Sequence, residues 1–168
     1  MKPTTKRLRE VFHYDKNTGF FHRKKKTGYK GRIGAIVGGL KQHGYISIQI
    51  DRYRDYAHRF AWLWVTGKWP KEIDHINGNR SDNRWINLRE ATRFQNNGNR
   101  KLAFKYKNYH LPKGVIQFKT KTGELRYSGR ITIRGKQVWF SRKTTIQEAH
   151  KDYMTAAQKY FGEFARAK

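Results

Sequence analysis

The run Asp74-His75-Ile76-Asn77-Gly78-Asn79, followed by Asn87-Leu88-Arg89 and Gln95-Asn96-Asn97-Gly98-Asn99, gathers a carboxylate, an imidazole and several amides in one stretch. These residue types suit hydrolysis of a phosphodiester. Such a reaction needs a base that takes a proton from water near neutral pH, and histidine, with an ordinary pKa of about 6.5, meets that need. It also needs charge neutralised at the phosphate and at the leaving oxygen. A hard divalent cation does this, and hard cations take oxygen ligands. Asp74 offers a carboxylate oxygen, Asn96 offers an amide oxygen, and His75 is the candidate base. Asn87 carries two donors and two acceptor sites and reads as a brace between a strand and a loop. Read singly, each has a plainer role: Asn and Asp over 77–83 are common turn formers, and an Asp-His pair alone is weak evidence.

The elements that must position these groups are short. Asp74 and His75 fall at a strand end, where successive side chains point to opposite sides and can straddle one phosphate. Thr92-Arg93-Phe94-Gln95 reads as a capping box, so a helix starts there with Asn96 near its first turn. A helix N-terminus also favours a phosphate. Upstream, His58 to Val65 reads as a helix that ends near Thr66-Gly67 and is stopped by Pro70. Before that, Leu8, Val11 and Phe12 have helical spacing, and Lys16-Asn17-Thr18-Gly19 and Gly38-Gly39 mark turns. Tyr45 to Ile50 alternates apolar and polar residues as a half-buried strand does.

Charge sets the partner class. The chain holds 38 Lys and Arg against 12 Asp and Glu, a net charge of +26. Such a chain condenses on a polyanion by releasing counterions. Charge alone fits DNA, RNA or an anionic membrane surface. No acid occurs from Lys16 to Ile50 or from Ala91 to Gly123, so two basic stretches flank the Asp74 region. With 36% hydrophobic and 15% aromatic residues, the chain is too apolar for a disordered basic tail. The absence of cysteine excludes disulfides and thiolate zinc sites. Neither an apolar signal core nor a membrane-spanning run is present, which sets the expectation of a cytoplasmic protein without membrane contact.

The C-terminal stretch has its own pattern. Val115 to Phe118 reads as a strand and Thr120 to Gly123 as a turn. Tyr127 to Arg134 alternates, with Ile131 and Ile133 on one face and Arg130, Thr132 and Arg134 on the other. Gly135-Lys136 reads as a tight turn before the strand Gln137–Ser141. Thr145 to Glu148 forms a capping box, and Ile146, Ala149, Tyr153, Ala156, Ala157 and Tyr160 continue at helical spacing. Arginines on a strand are usually solvated. In a chain this basic, the face of Arg130, Thr132, Arg134 and Lys136 is also a candidate for DNA contact.

The ordered set Asp74-His75-Ile76-Asn77-Gly78-Asn79, Asp82-Asn83, Asn87-Leu88-Arg89, Ala91-Thr92, Gln95-Asn96, Asn99-Arg100, with His58-Arg59 before it, resembles the HNH nuclease motif. It is similar in particular to phage- and intron-encoded HNH homing endonucleases. The resemblance implies that His75 is the general base, that Asp74 and Asn96 bind the metal, and that Asn87 holds the loop. Asn96 stands where many such enzymes have His, which favours Mg²⁺ or Mn²⁺ over zinc by ligand hardness. Asn99, one helical turn on, is an alternative ligand. Lys113-Gly114-Val115, the strand 127–134, Val138-Trp139-Phe140, Glu148-Ala149, Tyr153, Ala156-Ala157 and Phe161 to Ala165 resemble the plant ethylene-response-factor (APETALA-type) DNA-binding domain. This chain departs from that family after the third strand, with Phe140-Ser141-Arg142-Lys143 in place of a Leu-Gly-x-Phe turn. The resemblance implies DNA contacts by Arg126, Arg130, Thr132, Arg134 and Trp139.

The expectation is an α+β chain. Residues 1–55 form a basic β-rich DNA-contact region and 56–100 a ββα-metal nuclease module. Residues 101–113 form a basic linker in which Lys105 and Lys107 track the backbone. Residues 114–168 form a three-stranded antiparallel sheet packed on one helix. The expected activity is site-specific cleavage of double-stranded DNA by a phage- or intron-encoded monomer acting on an asymmetric site in a bacterial host. Three alternatives stand beside it: a DNA-binding regulator with an inactive nuclease core, an RNA-binding structural protein, and a less specific HNH nuclease of phage DNA processing.

Overall fold

The structure, a computed structural model, describes residues 1–26, 31–100 and 110–166. The chain is α+β and divides into two compact units, Met1–Thr92 and Arg93–Lys168. No helix among the described residues is long and apolar enough to cross a membrane.

The first unit opens on α1 (Thr5–Val11), capped by the Thr4 hydroxyl, which accepts from the Arg7 N–H at 3.2 Å. Its buried Leu8 and Val11 are three apart and lie on one face. Strands β1 (Phe12–Tyr14), β2 (Phe21–Arg23) and β3 (Ile36–Val37) form one antiparallel sheet. Strands β4 (Gly39–Leu40), β5 (Ile46–Ile50) and β6 (Tyr53–Tyr56) form a second. The expected helix is α2 (Ala57–Thr66), and Gly67 ends it in the left-handed region at φ 75°, giving its N–H to the Leu63 carbonyl. Leu8, Phe60, Ala61 and Ile50 from these elements meet in one core. Burying a side chain the size of Leu or Phe stabilises the fold by about 1.5–3 kcal/mol.

On this core sits a two-stranded ribbon, β7 (Ile73–His75) and β8 (Leu88–Glu90), joined by a loop that ends in a 3₁₀ turn, Trp85–Asn87. Its antiparallel register places Asp74 opposite Arg89 and His75 opposite Leu88. The β1–β2 turn braces that loop from behind. The Tyr14 hydroxyl donates to the Asn83 carbonyl at 2.6 Å, and the Trp85 N–H donates to the Lys16 carbonyl at 2.9 Å. Gly19, at φ 77°, lies so close that a Cβ there would stand 2.5 Å from the Arg84 nitrogen. Only glycine allows that approach.

The second unit holds α3 (Arg93–Asn99), then β9 (Val115–Lys119), β10 (Leu125–Ile133) and β11 (Lys136–Trp139) in the order β11-β10-β9, and α4 (Ile146–Phe161). The Thr145–Glu148 capping box at the start of α4 is formed. Gly129 lets α4 lie against the sheet, since a Cβ there would stand 2.7 Å from the Ala149 carbonyl oxygen. Helix α3 rests on α4. The Phe94 and Phe161 rings lie 4.9 Å apart, Gly98 abuts Phe161, and Lys113 Nζ donates to the Gly98 carbonyl at 2.5 Å.

Two expectations for this unit need correction. The β10–β11 turn is Arg134-Gly135, because Ile133 pairs with Lys136. Arg134 therefore leaves the strand. Its φ of 49° and the 83° of Gly135 match the twist of a two-residue hairpin, which needs positive φ at both central positions. It does not continue the face of Arg130 and Thr132.

Candidate functional site

Asp74, His75 and Asn87 come together on the ribbon of the first unit, and all three are buried. Asp74, 7% exposed, receives two bonds on Oδ2 from Arg89 across the strand pair, 2.9 Å from Nε and 2.8 Å from Nη2. Charged bonds of this kind fix a carboxylate in orientation as well as balancing its charge. Asn96 lies on α3, in the second unit.

His75, 5% exposed, is held by Asn83. Its Nε2 lies 3.2 Å from the Asn83 side-chain oxygen. The Asn83 amide nitrogen donates to the Ser81 carbonyl at 3.1 Å, so the amide oxygen faces the ring. That assigns the ring proton to Nε2 and makes Nδ1 the basic nitrogen. Burial pushes the His75 pKa below its ordinary value, outweighing the Asn83 bond and the carboxylates of Asp74 and Asp82, which pull it up. The imidazole is therefore neutral at neutral pH.

Asn87 ties the loop. Its Oδ1 accepts from the Asn77 N–H at 2.9 Å and its Nδ2 donates to the Asp82 carbonyl at 2.7 Å. The Ile76 N–H reaches the Asn87 carbonyl at 2.9 Å. Asp82 completes the loop by accepting from Asn77 Nδ2 at 2.7 Å and from Arg84 Nη2 at 2.6 Å. The Arg84 bonds, with lesser help from Asn77, hold the Asp82 carboxyl down to about 2.

Four residues without an expected role join this site. Arg89 meets Asp74 only through the strand register, and Asn83 looked like a turn residue. His58, in the first turn of α2, stands with its ring 4.9 Å from that of His75 at 78°. Tyr45 lies 5.3 Å from His58 and 6.0 Å from His75. Burial, with lesser contributions from His75 and Arg59, pushes His58 down to about 3. The signal for His58 was its place just before the motif. Nothing local marked Tyr45.

In the first unit the oxygen donor that could hold a metal is the Asp74 carboxylate; Asn96, named with it by the resemblance, belongs to the second unit. No group of three His, Cys, Asp or Glu able to hold a metal occurs among the described residues. A single carboxylate oxygen is a hard and sparse offer. It fits an ion such as Mg²⁺, which keeps several waters and uses one or two carboxylates plus substrate phosphate. It does not fit a closed structural zinc site.

The second candidate surface is the outer face of the C-terminal sheet. Arg126, Arg130 and Thr132 alternate along β10 and share that face. Trp139 lies opposite Arg130 on β11, with the guanidinium over the indole at 5.4 Å. Arg142 lies over Phe118 in the same manner at 5.2 Å. Arg126 also pairs with Glu124 at 2.7 Å. Arg134 is in the turn, and Lys105 and Lys107 lie outside the described residues.

Comparison with known proteins bears on the first surface. Residues 55–98 match the family model described as HNH endonuclease. The match runs from just before α2 through β7, β8 and most of α3, and so contains His58, Asp74, His75, Asn83, Asn87, Arg89 and Asn96. The chain is also 32% identical over 129 residues to an uncharacterized HNH endonuclease of Acanthamoeba polyphaga mimivirus, an alignment covering 75% of this chain and 63% of that protein. The chain thus spans less than two thirds of the relative's length. No solved structure matches it significantly.

Proposed function

We propose that this protein is a metal-dependent endonuclease of the homing type that cuts double-stranded DNA. One observation supports this reading above others: within the HNH match, a buried neutral His75 has its proton fixed on Nε2 beside a carboxylate held by arginine. His75 Nδ1 takes a proton from a water. The water oxygen forms a bond to phosphorus as the bond from phosphorus to the 3′ oxygen breaks. Asn87 keeps the loop closed around His75, and Arg89 aims the Asp74 carboxylate. By the HNH resemblance Asp74 and Asn96 would be the oxygen donors for Mg²⁺ or Mn²⁺, and the ion would stabilise charge on the phosphate and the leaving oxygen.

Residues 1–55 contact the duplex in this reading, 56–100 cut it, and Lys105 and Lys107 in the linker 101–113 hold phosphates. The outer sheet face of 114–168 reads bases as an APETALA-type domain does, through Arg126, Arg130, Thr132 and Trp139, with Arg134 reaching from the turn. These contact regions differ from one another, which suits a monomer on a long asymmetric site, encoded by a phage or an intron and acting in a bacterial cytoplasm.

The test is incubation of the full chain with phage or host genomic DNA and Mg²⁺, with ends mapped on each strand. We expect cuts at defined sites, none in EDTA, and a loss of about 10²–10⁴-fold in His75→Ala with DNA affinity retained. Cutting by His75→Ala at the wild-type rate, or undiminished cutting in chelator, rejects the mechanism.

A further inference from the structure

We propose that His58 is a positioning residue that holds the His75 imidazole in its working orientation. The proposal rests on the nuclease reading above. His58 is 6% exposed, and its buried Nδ1 has no hydrogen-bond partner among the described residues. A buried polar nitrogen with no partner forfeits its hydration and recovers nothing. An apolar side chain would fill a purely structural place at less cost, so a role for the imidazole is indicated by what it touches.

His58 touches a box of rings. Its ring stands edge-to-face against His75 at 4.9 Å and is stacked on Tyr56 at 5.7 Å and 12°. Tyr45 packs on both histidines. Tyr56 occupies the N-cap of α2, where Ser, Thr, Asp or Asn would satisfy a helix N–H, and it makes no side-chain cap bond. The chain forgoes a cap there and places a ring behind His58. The helix start thus fixes His58, and His58 stands edge-to-face against the His75 ring. A misplacement of about 1 Å in a reacting group can cost about 10²-fold in rate.

The experiment compares wild type, His58→Phe and His58→Ala as full chains. Long-range proton–nitrogen NMR of the imidazoles reads the His75 tautomer, and single-turnover cleavage of mapped duplex with Mg²⁺ reads the rate. Wild type should show His75 as one Nε2–H tautomer. Both variants should show mixed or broadened His75 signals and cleave about 10–10²-fold more slowly, at unchanged DNA affinity. Phe60→Leu, a core change away from the box, should lower the unfolding temperature without moving the His75 signals. If His58→Ala does not fold, His58→Phe carries the comparison. A folded variant with wild-type His75 signals or wild-type cleavage overturns the proposal. If wild type cuts no DNA, the nuclease reading fails, and the His75 spectrum alone decides whether His58 positions that ring.

Discussion

The Asn83 amide oxygen faces His75 Nε2, the Asn83 amide nitrogen is held by the Ser81 carbonyl, and the His58 ring stands edge-to-face against that of His75. Of these, His75 alone has a chemical role legible in the sequence, while Asn83 and His58 stand in the motif without one. A carboxamide eight residues on looks like any turn asparagine, and its use appears when the loop folds back. His58 also makes the clearest pH statement. Its folded pKa of about 3 lies below the ordinary 6.5, so between those values the unfolded chain binds a proton that the folded chain does not. Its contribution to stability is therefore full above pH 6.5 and is lost as pH falls toward 3. Each unit of pH in that window costs up to about 1.4 kcal/mol. We expect urea midpoints to fall through this range in wild type and to fall less steeply in His58→Phe. Parallel curves for the two proteins would remove His58 as a source of acid sensitivity.

At the level of elements, the sequence was most informative where local chemistry decides. The α2 stop at Gly67, the β5 alternation and the α4 capping box needed no tertiary help. The β10–β11 turn falls one residue before the Gly135-Lys136 expectation because Arg-Gly lacks the Asn-Gly signature, and the register is set by pairing instead. The loop between β7 and β8 is closed by Asn87, and truncating that side chain strands the Asn77 N–H and the Asp82 carbonyl. Asn87→Ala should cost about 1–3 kcal/mol in chemical denaturation. A loss within error of zero would mean the loop is held without it. On the C-terminal sheet, Arg130 stands over Trp139 at mid-face while Arg134 sits at the tip. If Arg130 bonds a guanine edge, Arg130→Ala should relax selectivity at one base pair by about 1–3 kcal/mol, read from affinities for single-substituted duplexes. Equal weakening for every duplex would assign Arg130 to phosphate.

For the whole molecule, composition pointed to a polyanion, and the motif pointed to cleavage. The expected 56–100 module includes α3, and within Arg93–Lys168 α3 packs against α4. Phe161 is 7% exposed with the Phe94 ring and Gly98 upon it, and Lys113 reaches back to the Gly98 carbonyl. A fragment beginning after α3 would bare Phe161 and leave Lys113 without that acceptor. Burial of one such ring is worth about 1.5–3 kcal/mol, and each kcal/mol moves the melting point of a domain this size by about 4–8 °C. Residues 93–168 should therefore melt well above residues 110–168 when followed by circular dichroism. Equal melting points would mean that α3 adds no stability to the C-terminal unit, and the boundary would then fall after it, where the motif alone had placed it.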